Sequence, residues 1–132
     1  MPWAFSWLHA TPISDELIAE IENRYNVQLP EDLKAILQEG NHGAPSKRFF
    51  DTDIAEGHEW KTLLSYHKSD MENIYSALSV LKDVDADLFP FGNDPAGNII
   101  CLKKNKVVLW HHETDEIEFV ANSISEFLAK LY

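Results

Sequence analysis

The stretch from Asn98 to Ala121 constrains the fold most. It holds three runs with strand character, Asn98–Lys103, Val107–His112 and Glu116–Ala121, separated by the short gaps Lys104-Asn105-Lys106 and Glu113-Thr114-Asp115. Gaps this short join neighbouring strands as antiparallel hairpins, because a parallel return needs a crossover of about a dozen residues or more. The last run alternates Ile117, Phe119 and Ala121, which predicts a half-buried strand with those three side chains inward. Ser123-Ile-Ser-Glu126 follows at once as a capping box. A C-terminal helix is therefore expected to close the meander, with Ile124, Phe127, Leu128 and Leu131 facing the core.

Helices dominate the first part of the chain. Ser14 is a good N-cap, Asp15 and Glu16 suit the first turn, and Leu17, Ile18, Ile21 and Tyr25 recur at helical spacing until Asn26. A second helix is expected from Pro30, with Leu33, Ile36 and Leu37 inward and Gly40 as its stop. A third is expected from the box Ser69-Asp-Met-Glu72, with Met71, Ile74, Tyr75, Leu78 and Leu81 buried. Between the second and third, Phe49-Phe50 is a short strand candidate and Glu59–Tyr66 a longer one. Leu88–Phe91 precedes the meander. Helices, then strands, then a helix predict an α+β domain, an antiparallel sheet flanked by about four helices, and not a parallel βαβ array. No linker or repeat divides residues 1–132, so one domain is expected, with 1–12 as an N-terminal arm. Trp3, Phe5 and Trp7 alternate in that arm, as a short strand or a segment packed on the core; exposed, they would be anchors for a partner.

At 132 residues the chain can bury a substantial core without staples. Its single cysteine, Cys101, lies in the apolar run Asn98–Leu102, so no intrachain disulfide forms and a small buried hydrophobe is expected there. No apolar stretch approaches the roughly 20 residues that span a bilayer, and the N-terminus lacks the basic region of a signal peptide. A cytoplasmic protein without membrane contact is expected.

The net charge is −11. A phosphate backbone repels such a surface, so nucleic acid is not an expected ligand. The same field favours a basic protein and speeds the encounter with it.

Candidate chemistry is sparse. Trp110-His-His-Glu-Thr-Asp115 gathers imidazoles and carboxylates, but adjacent His111 and His112 on a strand point to opposite faces and do not share a metal. Asn93-Asp-Pro-Ala-Gly-Asn98 is a turn cluster and not a phosphate-binding loop. There is no nucleophile elbow and no nucleotide motif. No cofactor, no metal and no catalytic residue are expected. The residues expected to meet a partner are the acidic group Asp51, Asp53, Glu56 and Glu59, then Asp94, Trp110 and Glu113. Asp83, Asp85 and Asp87 form a second acidic patch.

Three segments together resemble the SUKH superfamily, in its Smi/Knr-like branch. Ile21 to Gly43 resembles the family's helix, Leu-Pro step, second helix and Asn-Gly-Gly ending. Leu88 to Leu102 is similar to its Asp-x-x-Gly segment. Val108-Leu-Trp-His-His-Glu113 with Val120 to Leu128 resembles its Trp-Asp-His-Glu strand and final helix. The chain departs from the pattern at His42, where Gly is usual, at His111, where Asp is usual, and at Ile124, where Phe is common. The resemblance implies an α+β fold without enzyme activity. It further implies an immunity protein that binds and neutralises a cognate polymorphic toxin domain, often a nuclease. The alternative it carries is a regulatory adaptor with a cellular protein partner.

Overall fold

The computed structural model describes residues 5–132. In chain order the elements are β1 (Trp7–Leu8), α1 (Asp15–Tyr25), α2 (Glu31–Gly40), β2 (Ala44–Pro45), β3 (Phe49–Phe50) and β4 (His58–Glu59). They continue with β5 (Thr62–Leu63), α3 (Ile74–Leu81), β6 (Leu88–Asn93), β7 (Ile99–Lys103), β8 (Lys106–Trp110), β9 (Ile117–Ala121) and α4 (Ile124–Lys130). The expected meander is present. β5 to β9 form one antiparallel sheet in sequential order, beside the ribbons β1–β2 and β3–β4. This is an α+β fold. Lys104 and Asn105, both at positive φ, make the β7–β8 turn, as two-residue hairpins with primed turns require.

The caps follow the sequence in α1 and α4. Ser14 Oγ accepts from Leu17 N and Ser123 Oγ from Glu126 N, and Asn26 ends α1 in the left-handed region. α3 differs. It starts at Ile74 with Asn73 as N-cap, and Met71 is 92% exposed. The box at Ser69 does not form because the Glu72 carboxylate is taken by Lys61 and by Asn93 Nδ2. The run Glu59–Tyr66 is likewise not one strand. It leaves the β3–β4 ribbon at Trp60, whose N–H donates to Arg48 O, and joins the main sheet at Thr62.

The core face of the sheet carries the row Gly92, Ile100, Leu109 and Glu118, which are directly opposed across β6 to β9 and so share a face. Phe50, Trp60, Phe91 and Phe127 pack among themselves in tilted and edge-to-face pairs, with centroids 5.1–6.0 Å apart. Gly92 admits the Trp60 indole, since a Cβ there would lie 2.6 Å from Trp60 Nε1.

The row also corrects the expected parity of β9. Ile117 and Phe119 are 38% and 46% exposed, whereas Glu118 and Val120 are buried. A register shift between Val107 and Val108 lets Ala121 be buried as well. A glutamate thus occupies a core-facing position that the apolar alternation assigns to its neighbours.

The N-terminal segment packs on the core through Phe5 and Trp7, and Trp7 meets Trp60 edge-on at 5.4 Å. Trp3 lies outside the described residues. Gly40 is the last residue of α2 and serves by its missing side chain, because a Cβ would stand 2.4 Å from Trp7 Cδ2. Asn41 is fully buried. Its Nδ2 donates to Thr11 O and Ser65 Oγ, and its Oδ1 accepts from Tyr66 N, which ties three chain segments together. His42, where the family pattern has Gly, sits at φ +66.

Candidate functional site

The expected contact residues fall into three groups. Asp53, Glu56 and Glu113 are exposed. Asp51 and Glu59 are half-buried and partnered. Asp51 Oδ1 accepts from Gly57 N at 2.8 Å and from Tyr132 Oη at 2.6 Å, and Glu59 lies 3.4 Å from Arg48 Nε. Hydrogen bonds from Tyr132 and Gly57 hold the Asp51 carboxyl below its ordinary range.

Asp94 and Trp110 are largely buried, with their polar side-chain atoms engaged inside the fold. Asp94 is 9% exposed and accepts from Ala96 N, Asn98 N and Asn98 Nδ2 at 2.8–3.0 Å, so its carboxylate builds the β6–β7 turn. Trp110 is 5% exposed, paired across the sheet with Ile99 and Ile117, and its indole N–H donates to Asp115.

Of the exposed acids, Glu113 lines a groove, whereas Asp53 and Glu56 lie on the 51–57 loop beside it and outside its lining. The 51–57 loop faces the 111–116 turn across this open groove of about 390 Å³. Its lining includes Ile54, His58, His111, Glu113, Glu116 and Glu118, and no described lysine or arginine lines it. Local bonds shape both walls. Thr52 Oγ1 accepts from Ala55 N and Ile54 N, which folds the loop back on itself. On the other side His112 Nε2 donates to Ala96 O at 2.9 Å and His112 N to Asn98 Oδ1 at 3.1 Å, which fastens the turn to its neighbour.

Glu118 forms the floor. His111 Nε2 donates to Oε1 at 2.8 Å, His58 Nε2 to Oε2 at 3.2 Å, and the Thr52 hydroxyl also donates to Oε2. Phe50 stacks on the His58 ring at 5.3 Å. Burial pushes the Glu118 carboxyl up. The hydrogen bonds from Thr52, His111 and His58, with the nearby His58 charge, outweigh it and hold the group below the ordinary carboxylate range. Glu118 therefore stays ionised at neutral pH inside the protein.

Sequence reasoning missed Glu118, His58 and Thr52. They come from β9, β4 and the β3–β4 loop, and no spacing in the chain links Glu118 to the other two. The available signal was a glutamate at the centre of an apolar strand. His111 and His112 do point apart, one to Glu118 and the other to Ala96 O. Among the described residues no group of three or more His, Cys, Asp or Glu is placed to hold a metal ion. Cys101 is buried and burial pushes its thiol far up, which suppresses the reactive thiolate. Among the described residues no helix is long and apolar enough to cross a membrane.

A crystal structure of a protein from Pseudomonas syringae pv. tomato is similar. The TM-score is 0.60, over 91% of this chain and 82% of that one, at 14% sequence identity. At that identity the likeness concerns the fold alone. No curated protein matches the chain in sequence. The family model described as SMI1 / KNR4 (SUKH-1) matches residues 12–130. That match takes in the Leu29-Pro30 step, the buried Asn41 hub, the Asp94 turn and the final capped helix, and on it the chain belongs to the SMI1/KNR4 family (SUKH-1).

Proposed function

We propose that this chain is an immunity protein, which binds the toxin domain of a polymorphic toxin in the cytoplasm and neutralises it by covering its working surface. It acts by binding and not by catalysis. The family supports the binding role. The observation that carries the finer reading is the groove between the 51–57 loop and the 111–116 turn, with Glu113 and Glu116 on one wall, an ionised floor and no lysine or arginine among its described lining residues. A nuclease is the kind of toxin such a surface suits, because an enzyme that grips phosphate is basic where it works, and complementary fields speed the encounter. Asp53, Glu56 and Glu113 are the proposed contacts, with Asp51 and Glu59 shaping the ground behind them.

Co-expression tests this. The toxin domain encoded beside the gene should arrest growth when expressed alone, and this chain should restore growth. An unrelated acidic protein of similar size should not. Arrest that persists with the chain present at equal or higher level refutes the immunity role and leaves an adaptor for a cellular partner as the better account.

A further inference from the structure

We propose that the outer edge of β9, from Ile117 to Phe119, docks an extended, basic segment of the protein partner, which joins the five-stranded sheet as a further antiparallel strand. The proposal rests on the binding role in taking the occupant to be part of another protein. The choice of an extended segment rests on the edge itself.

β9 is the last strand of the sheet, and its pairing with β8 fixes which main-chain groups turn outward. His111 N donates to Glu116 O at 2.9 Å, and Leu109 stands opposite Glu118. Hydrogen-bonded residues alternate in an antiparallel pair. The N–H and C=O of Glu118 therefore point into the sheet, and those of Ile117 and Phe119 point away from it. Elsewhere the chain closes strand edges with its own backbone. Leu63 N of β5 donates to Gly43 O, and β3 exchanges bonds with the chain end, Phe49 N to Tyr132 O and Tyr132 N to Phe49 O. Among the described residues no backbone group from outside the sheet bonds to Ile117 or Phe119. The 51–57 loop and His58 reach β9 through side chains, Thr52 and His58 on Glu118. Lys130 Nζ donates to Val120 O and so guards only the far end of the strand.

The side chains point to the same occupant. On the face of the sheet away from Glu118, Ile99, Trp110 and Ile117 form one cross-strand row, and Cys101, Val108 and Phe119 form the next. Exposure along the first row is 8%, 5% and 38%, and along the second 0%, 7% and 46%. Both rows are buried until the edge and exposed where no further strand flanks them. A segment with apolar residues opposite Ile117 and Phe119 continues both. Its intervening residues turn to the other face, towards the loop that carries the exposed Asp53 and Glu56, so lysine or arginine suits them. A core-facing charge on an edge strand ordinarily opposes further pairing. Glu118 does not, because Thr52, His58 and His111 already hold its carboxylate at 5% exposure, and an added strand buries no new charge. A second copy is the poorer occupant, since β9 against β9 brings together two chains of net charge −11.

The test uses the full chain and the peptide acetyl-Lys-Val-Lys-Val-Lys-Val-Lys-amide. In an antiparallel partner the residues opposite Ile117 and Phe119 direct their own N–H groups at β9. Backbone N-methylation of the valines removes those bonds, whereas backbone N-methylation of the lysines leaves them. Amide hydrogen exchange followed by NMR reads the edge. In the free chain the Ile117 and Phe119 amides should exchange fast and the Glu118 amide slowly. The basic peptide should bind saturably and slow exchange at Ile117 and Phe119 by about tenfold or more. The lysine-methylated peptide should do the same. The valine-methylated peptide, and a peptide with Glu in place of Lys, should not bind. Ile117→Lys with Phe119→Lys alters only exposed side chains and should weaken binding about tenfold. Slow exchange of both amides in the free chain, no saturable binding of the basic peptide, equal binding by the valine-methylated or acidic peptide, or unchanged affinity in the folded variant would overturn the docking edge. Protection that grows with chain concentration alone would assign the edge to a second copy and overturn it too. Growth rescue separates this from the broader role. A folded Ile117→Lys, Phe119→Lys variant that rescues as well as wild type refutes the edge and leaves the immunity function standing.

Discussion

Asp94 separates a scaffold role from a contact role in a single substitution. Its carboxylate accepts three hydrogen bonds, from Ala96 N, Asn98 N and Asn98 Nδ2, at 2.8–3.0 Å in a turn where the residue is 9% exposed. Asp94→Ala removes all three and leaves the N–H groups of Ala96 and Asn98 without their acceptor. Hydrogen bonds to a charged group are worth more than neutral ones, and unpaired donors at a partly buried site carry a desolvation penalty, so the loss should be about 2–3 kcal/mol. Unfolding entropy at this chain length is near 0.28 kcal/mol/K, so the melting midpoint should fall by roughly 7–11 °C. Asp94→Asn retains one acceptor oxygen and should lose roughly half as much. Thermal and urea denaturation followed by tryptophan fluorescence measure both. A variant with wild-type stability that no longer binds its partner would refute the turn-building role and reinstate Asp94 as a contact.

His42 is held at φ +66, a region that favours glycine, so His42→Gly should stabilise by about 0.5–1 kcal/mol in urea denaturation despite the flexibility it adds to the unfolded chain. An unchanged or lower midpoint contradicts the strain. Gly40→Ala should destabilise by about 1–3 kcal/mol although alanine is the better helix former, because its Cβ would collide with the Trp7 ring; greater stability would mean that Trp7 moves freely. The folded carboxyls of Glu118 and Asp51 lie below their unfolded values, so the stability they contribute is fully present above about pH 4.5 and is lost as pH falls through the lower, folded values. The urea midpoint should therefore drop on acidification below that point, and less steeply in Glu118→Gln. An equally steep drop in that variant would remove Glu118 from the account.

Order and pairing of the elements were legible because hairpin gaps and caps are local chemistry. Ser14, Asn26, Lys104-Asn105 and Ser123 each act within a few residues of themselves. The failures share the opposite property. The box at Ser69 has the right letters, yet Glu72 is drawn away by Lys61 and Asn93, which are distant in sequence. The parity of β9 was misjudged because Ile117 and Phe119 are apolar, while Glu118 faces the core only by virtue of donors from Thr52, His58 and His111. Acidity around 51–57 and at Glu113 was visible as composition. That the two stretches face each other across one groove is tertiary geometry, which the chain does not announce.

The central claim is that this acidic surface neutralises a basic toxin by occupying it. The most direct measurement mixes the purified chain with the purified toxin domain proposed as its partner and follows toxin activity against added chain. The account predicts activity lost at one equivalent, with a complex whose association slows as salt rises and slows further when Asp53 and Glu56 are changed to Lys. Full toxin activity in the presence of excess chain, or inhibition indifferent to salt and to both substitutions, would contradict it.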